Sequence, residues 1–552
     1  MMSQKYFPQP SVMDAQAHFS RVPKAEIERS RFDRSSGFKS TFNAGYCVPC
    51  FVDELVPGDT FNMSATHFAR LATPLKPVMD NAFLDTHFFF VPCRLVWDNW
   101  PYFMGERKRP TDNPKDFSIP QAAWNPQTAL THATGGAFAI GDYLGLPKRN
   151  TAGLSINVSA LPLRAIYLIW NEWFRDENLQ DPITFSTGDT ASDINYNQPV
   201  SFLPRGKRKD YFTSCLPWPQ KGDPIMLPLA GSAPVQGIWF SNTATAGGAA
   251  ATARPANGTG TATMPAGNIV SNSPFGFYVE SEPASTANVL RNPKIYADLS
   301  QASATTINAL RTAFQLQRML ERDARGGTRY IEMIYSHFGV VNPDFRLQRP
   351  EFLGSGSAVI NMNPIAATFT SSGNAPQGNL SAVGTTLCKA GFNYSATEHG
   401  YIIGFVSART DLTYQQGVER FWTRKVREEW YFPALAHLGE QAVLRKEIYI
   451  DTPANNDLVF GYQERFAEYR YKPSRITGLF SSEEAQSLDV WHWSQDFANA
   501  PQLNASFIVE NPPIDRTIAV PSEPHFLLDS WFKLLCDRPM PVYSVPGLID
   551  HF

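Results

Sequence analysis

Two neighbouring stretches decide how this chain folds: TFNMSATHFARL at residues 60–71 and NAFLDTHFFFVP at residues 81–92. In the first, Phe61, Met63, Ala65 and His67 fall on one face, the period-two pattern of a strand with one buried side. The second ends in a nearly continuous apolar run, which suits a strand buried on both sides. Between them, TPLKPVMDN holds Pro74 and Pro77 and reads as the connection. Upstream, VPGDT carries the Pro-Gly pair of a type II turn, in which Gly58 supplies the positive φ.

The same signals return late in the chain, in HGYIIGFVSART, LRKEIYID, LVFGYQERFAEYRYK and NASFIVE, all rich in aromatic and β-branched residues. A sheet joining these to the first strands pairs residues several hundred positions apart, a Greek-key or jelly-roll topology of high contact order. Two separate β domains is the rival layout. Between the two sets, LPLRAIYLIWNEWFRDE places Leu163, Ile166, Trp170 and Trp173 at helical spacing, and TTINALRTAFQLQRMLERDARGG does the same with Ile307, Leu310 and Phe314 before Gly326 and Gly327 end it. Each reads as a helix with one packed face. A third candidate helix, QGVERFWTRKVREEW, spaces Val418, Trp422 and Val426 by four and stops near Pro433.

The middle also holds three biased stretches: THATGGAFAIGDY, the run SNTATAGGAAATARPANGTGTATMPAGN at residues 241–268, and LGSGSAVINMNPIAATFTSSGNAPQGNLSAVGTT. They read as long loops, which inside compact proteins are usually functional or disordered. Small residues bury too little apolar area to offset the entropy of ordering, so run 241–268 needs packing from outside itself. Its flanks, VQGIWFSN and SPFGFYVESE, each resemble a short strand, which favours a surface insertion over an interdomain linker.

Bulk composition narrows the function. The 552 residues are 43% hydrophobic and only 18% charged, with 43 prolines and 36 glycines, which favours an all-β plan with elaborate loops. A formal net charge of −3 gives no reason for the chain as a whole to bind nucleic acid, so such contact must be local. Six cysteines are too sparse for a disulfide scaffold, and Cys47 and Cys50 form a lone C-x-x-C without the further ligands a zinc site needs. The first thirty residues lack the apolar core of a signal peptide, and HFFFVP and AIYLIW are too short to span a bilayer. These features predict a soluble chain, intracellular at synthesis.

Enzymatic motifs fail on inspection. Gly206-Lys207 is preceded by Ser201 where a P-loop needs glycine, and Gly354-Ser-Gly356 does not extend to a dinucleotide fingerprint. No H-E-x-x-H or G-x-S-x-G occurs. His67 and His87 read as core or interface groups. No catalytic, metal or cofactor residue is therefore assigned. Basic residues do cluster, at Arg107 to Arg109 and at Arg205, Lys207, Arg208 and Lys209 before Tyr211 and Phe212. Near the N-terminus Arg29, Arg31, Arg34 and Lys39 lie among Phe32 and Phe38. Cations interleaved with aromatics are the composition of a single-strand site; a solvated loop is the plainer alternative for the 205–209 group.

The stretch from RFDRSSGFKS to DNWPYFMGE, with VDELVPGDTF, TPLKPVMDN and FFFVPCRLVWDNW inside it, resembles the major capsid proteins of microviruses, small icosahedral single-stranded DNA phages, in their gokushovirus branch. VFGYQERFAEYRYKPSRITGLF, LDVWHW and DRPMPVYSVPGLIDHF resemble the family's closing segments. The likeness covers residues 25–110 and 395–552. It implies a mainly β fold, an eight-stranded antiparallel jelly roll (viral β-barrel) with large loop insertions containing a few helices. It implies one capsid domain over 1–552, with an N-terminal arm at 1–45, a surface insertion at 228–278 and an extended C-terminal arm at 538–552. Sixty copies would form a T=1 shell around circular single-stranded DNA, in the virion after assembly in the host cytoplasm. The implied partners are an internal scaffolding protein, a small basic DNA-binding protein, a pilot protein and a host surface receptor.

Within that reading, Arg31, Arg34, Lys39, Arg205, Lys207, Arg208 and Lys209 are candidates to face the DNA. The insertion, with Trp239, Phe240, Arg254, Asn257, Phe275 and Phe277, is the candidate threefold protrusion and host contact. A low-charge, aromatic surface suits subunit interfaces. The competing hypothesis, a β-rich carbohydrate-binding or carbohydrate-cleaving protein, rests on the many aromatics and long loops.

Overall fold

The computed structural model describes residues 28–107, 109, 111, 113–130, 138–223, 225, 307–368 and 377–543, with the backbone of six short strand segments between 235 and 297. Compactness divides the chain into two units, 1–219 with 326–552, and 220–325.

The larger unit is built on ten strands: β1 (Ser30–Asp33), β2 (Ser36–Phe42), β3 (Val48–Leu55), β4 (Thr60–Leu71), β5 (Ala82–Pro92), β6 (Glu351–Val359), β7 (Asn361–Ala366), β8 (Leu380–Ser395), β9 (Gly400–Thr410) and β10 (Phe526–Arg538). They form two antiparallel sheets. Sheet one runs β2-β10-β4-β8-β7, with β1 continuing the β2 edge on β10; sheet two runs β6-β5-β9-β3. β4 pairs with β8 from Thr60↔Ser395 to Arg70↔Thr385, and with β10 from Thr60↔Asp537 to Leu71↔Phe526. Early and late strands thus share one sheet, and the rival layout of two β domains is not the one that forms.

The alternation in 60–71 is realised: Phe61, Met63, Ala65, His67, Ala69 and Leu71 are buried, while Asn62, Ser64, Phe68 and Arg70 are exposed. Inward residues of both sheets make one core, with Phe51 against Phe532 at 5.0 Å, Phe88 against Phe392 at 5.2 Å and Phe90 against Tyr394 at 4.9 Å between ring centroids. The continuous run in β5 has its predicted cause. Phe88 and Phe90 enter this core, while Phe89 and Val91 join a second core on the other side of sheet two. The turn before β4 also forms as expected, with Gly58 at φ 91° and Asp59 N–H donating to Val56 O at 3.1 Å.

That second core is built around α1 (Leu161–Ile169), whose chain continues through a π-turn closed by Arg175 N–H to Trp170 O at 2.9 Å. α1 is buried nearly all round rather than on one face: Leu161, Leu163, Arg164, Ala165, Ile166, Tyr167 and Ile169 are all inaccessible. Sheet two covers one side, and segments around Val96, Trp97, Ile194 and Leu203 cover the rest. α2 (Ile307–Arg325) ends at the predicted glycines, and Gly327 has a positive φ of 93°. Its predicted stripe is not fully packed, since Phe314 is exposed. α3 (Tyr330–Phe338) ends on Gly339, also left-handed.

Four expectations are corrected. LGSGSAV to NLSAVGTT is not one long loop: its described residues include most of β6, all of β7 and the start of β8, and the glycines of β6 are needed because the two sheets approach closely there. LRKEIYID is a turn rather than a strand, since Glu447 reaches back to accept from Leu444 N–H at 2.9 Å; the strand is Glu440–Leu444, paired with Val459–Glu464. NASFIVE is a helical turn in which the Asn504 side chain accepts from Phe507 N–H at 3.0 Å. The third candidate helix does not form. Trp422 and Val426 are exposed, so no packing rewards a helix, and Arg420 and Arg424 reach away to Glu447 and Glu468.

In the smaller unit the flanks of run 241–268 pair as their sequence suggested: Ile238–Ser241 lies antiparallel to Gly276–Val279, with Phe277↔Phe240 and Tyr278↔Trp239. Val235–Gln236 pairs with Tyr296–Ala297, and Thr252–Ala253 with Ala262–Thr263. Arg254, Asn257 and Phe275 lie outside the described residues.

His67 and His87 are core groups. The His67 ring shares a hydrogen bond with Ser530 Oγ at 2.7 Å, and His87 meets the edge of Phe174 at 5.6 Å. Burial pushes both down to about 4 from an ordinary 6.5. Above pH 6.5 both rings are neutral folded or unfolded, and their contribution is fully present. As the pH falls from 6.5 towards 4 the unfolded chain takes protons that the folded chain refuses, so stability drops by on the order of 3 kcal/mol per ring. Urea unfolding at steps of pH should show this loss, and a His67→Asn/His87→Asn double variant should flatten it; an equal slope in the variant would refute the assignment.

Candidate functional site

No group of three or more His, Cys, Asp or Glu side chains is placed to hold a metal ion among the described residues. The six cysteines are free and buried, and burial pushes the Cys47 thiol up to about 12, where it is neither nucleophile nor ligand at neutral pH. No described helix is long and apolar enough to cross a membrane.

A cavity with three carboxylates has a volume of about 640 Å³ and is lined by Tyr211, Trp422, Tyr471, Glu419, Glu447 and Glu468, among others. Glu447 is buried, accepts from Tyr211 Oη–H at 2.8 Å and from Arg420 at 3.0 Å, and burial raises its pKa. Arg420 and Arg424 also engage Glu468. Arg420 bonds Glu447 and lies 4.0 Å from Glu468, so these ion pairs tie residues 420, 447 and 468 together.

The basic residues singled out from sequence separate into two groups. In the 205–209 cluster every charge is engaged within the subunit, with Lys207 buried and Lys209 exposed. Arg205 lies over the Phe174 ring at 4.9 Å and Lys207 over Phe507 at 4.4 Å, the latter near the Glu510 carboxylate. Arg208 stacks on Phe83 at 3.8 Å and pairs with Asp411 at 3.1 Å; Lys209 pairs with Asp176 at 2.6 Å. Arg34 likewise grips Asp53 through two bonds of 2.7 and 2.8 Å.

Arg31 and Lys39 are different. They lie on the outer edge of sheet one, paired across to the exposed Asp537 (2.7 Å) and Asp529 (2.8 Å) of β10. The face they border was not assigned from sequence. Strand register lines up Leu527↔Arg70↔Thr385, then Asp529↔Phe68↔Leu387, then Trp531↔Thr66↔Lys389, then Lys533↔Ser64↔Gly391, all on the side away from the core. Phe68, Leu387, Leu527 and Trp531 are each about half exposed, at 45%, 56%, 51% and 55%. Arg70, Lys389 and Lys533 are exposed beside them. A groove of about 620 Å³ opens at this face, with Lys39, Phe68, Arg70 and Leu527 on one side and Phe138 and Lys148 on the other. The missed signal is in FLLDSWFKLLC, where Phe526, Leu528, Ser530, Phe532, Leu534 and Cys536 alternate inward.

Comparison with known proteins gives consistent matches. The family described as Capsid protein (F protein) matches residues 20–548. The chain is 43% identical to capsid protein VP1 of Chlamydia phage 1, over 98% of each chain. It is 43% identical to capsid protein VP1 of Bdellovibrio phage phiMH2K, over 97% of this chain and 98% of that one. It is 34% identical to capsid protein VP1 of Spiroplasma virus 4, over 98% and 99%.

Proposed function

The chain belongs to the capsid protein (F protein) family, and from that premise we propose that sixty copies close into a T=1 icosahedral shell around circular single-stranded DNA. It is a major capsid protein of the microvirus type, in its gokushovirus branch, and its place is the virion. The observation that carries this reading is the likeness to capsid proteins along essentially the whole chain.

The two sheets are read as the eight-stranded jelly roll of a shell subunit, β2-β10-β4-β8 facing β3-β9-β5-β6. The strand order and the shared core support this. The whole chain then acts as one capsid domain, with 538–552 as an arm towards neighbouring copies and 228–278 as a protrusion at the threefold axes that meets the host surface; of the expected 1–45 arm, Ser30–Asp33 and Ser36–Phe42 belong to sheet one as β1 and β2. A subunit at −3 does not neutralise a genome, so a small basic DNA-binding protein is the required partner, alongside a scaffolding protein during assembly and a pilot protein in the particle. Arg31 and Lys39, exposed at the edge of a sheet face, are better placed to meet DNA than Arg205 and Lys207, which lie against the Phe174 and Phe507 rings.

Electron microscopy of the chain co-expressed with its scaffolding partner should show closed shells of uniform size. A variant lacking 241–268 should still form them, with attachment to host cells lowered at least tenfold. Persistent monomers of the full chain would overturn the shell reading; failure of the deletion alone to assemble would make the run part of the shell.

A further inference from the structure

We propose that the outer face of sheet one is a binding surface for single-stranded nucleic acid, with Phe68 and Trp531 as stacking platforms and Arg70, Lys389 and Lys533 as phosphate partners. The proposal rests on the reading of the protein as a shell that encloses DNA, and it adds which surface touches the strand and by what chemistry.

The apolar part is contiguous. Phe68 sits directly opposite Leu387, and Leu527 and Trp531 are its two diagonal neighbours on β10, within reach of one another across a sheet. A strand that buries every inward residue from Phe526 to Cys536 has no folding need for an outward tryptophan. Left in water, this patch calls for a partner with apolar faces.

The polar part identifies the partner. Lys39 is matched by Asp529 and Arg31 by Asp537. Arg70, Lys389 and Lys533 make no salt bridge among the described residues; the Asp33 carboxylate, which accepts from Ser35 N–H at 3.0 Å, feels the Lys533 charge at longer range, and Arg70 and Lys389 have no such neighbour. The face is therefore locally positive on a chain whose net charge is −3. Aromatic platforms beside uncompensated cations are what a single strand requires, its bases stacking and its phosphates pairing. A second copy presenting the same face would set cation against cation. The groove at Phe68 and Arg70 has room for a small ligand moiety such as one nucleotide; across it Lys148 lies over the Phe138 ring at 5.1 Å and is matched by Asp142 at 2.8 Å, which leaves Arg70 as the cation of the groove without an ion-pair partner among the described residues.

The test measures binding of a labelled oligothymidylate to the unassembled full-length subunit by fluorescence anisotropy over a salt series. The triple variant Arg70→Gln/Lys389→Gln/Lys533→Gln should lower the slope of log affinity against log salt by about 2, at roughly 0.7 for each phosphate contact. Trp531→Ala should weaken binding roughly tenfold with the slope unchanged, and Trp531→Phe should restore most of the loss. Circular dichroism checks that each variant is folded; should Trp531→Ala not fold, the charge triple, confined to exposed side chains, still decides. Wild-type slope and affinity in the folded triple variant would overturn the proposal. Variants that bind oligothymidylate normally but stop shell formation would overturn it too, making the face a contact between copies. If wild-type shells form with DNA inside while these variants bind unchanged, this site falls and the capsid reading stands; if wild-type subunits never form shells, the capsid reading falls.

Discussion

Replacing Gly356 by valine is expected to leave almost no folded subunit. A Cβ at this position in β6 lies 2.4 Å from Lys389 O and 2.9 Å from Ala390 Cβ in β8. The same crowding recurs nearby. A Cβ at Gly354 meets Gly391 O at 2.5 Å. Lys389 O and Gly391 O are backbone of the facing sheet and cannot rotate aside, so β6 has to leave its place on β5 or push β8 from β4. Ordinary overpacking costs about 1–3 kcal/mol with side chains absorbing the strain. Here the strain falls on strand pairing, and total stabilities of about 5–15 kcal/mol leave little reserve. Soluble yield and thermal unfolding of Gly356→Val measure the effect, with Ser355→Val as the control. Ser355 is exposed on the opposite side of the same strand, and a β-branched residue there should be neutral or mildly stabilising. A folded Gly356→Val subunit melting near the wild type would refute the close-approach account.

That glycine pair also explains where the sequence stopped being legible. β4, β5 and β9 announce themselves because their inward residues are large and their outward residues either polar or covered. β6 does not, since what its positions demand is smallness: Gly354 and Gly356 let two backbones approach, and a run of small residues looks the same whether it is a loop or a close contact. β10 was obscured differently. Its outward Leu527 and Trp531 blur an alternation that burial makes plain. The 205–209 cluster read as surface charge because its partners, Asp176, Asp411 and Glu510, are remote in sequence. Lys39 was visible as a candidate, but Arg70, Lys389 and Lys533 become one surface only when β4, β8 and β10 are set in register.

Arg164→Leu is expected to destabilise the subunit by roughly 3–5 kcal/mol, the cost typical of losing one member of a buried charged network. Arg164 is fully buried in α1 and donates to Val96 O and Gly188 O, each at 3.0 Å, and to Thr190 O at 2.6 Å. The segment 186–193 makes no helix or strand, so its inward carbonyls depend on this guanidinium. Burial lowers the Arg164 pKa, while the Asp193, Asp189 and Asp98 carboxylates act in the opposite direction and keep the charge in place. Leucine fills part of the volume but donates nothing, leaving the buried Val96 carbonyl and the part-buried Gly188 and Thr190 carbonyls without this donor and removing the charge those carboxylates face. Lysine retains the charge without the fork that reaches three oxygens, and should fall between. The Arg34–Asp53 pair supplies the contrast. It also makes two short bonds, yet the Arg34 side chain is 37% accessible, so Arg34→Leu should cost no more than about 1 kcal/mol. Urea unfolding of the two variants side by side decides whether burial or the number of bonds sets the energy. Equal losses would favour the bond count and undo the argument that Arg164 holds the 186–193 segment against the second core.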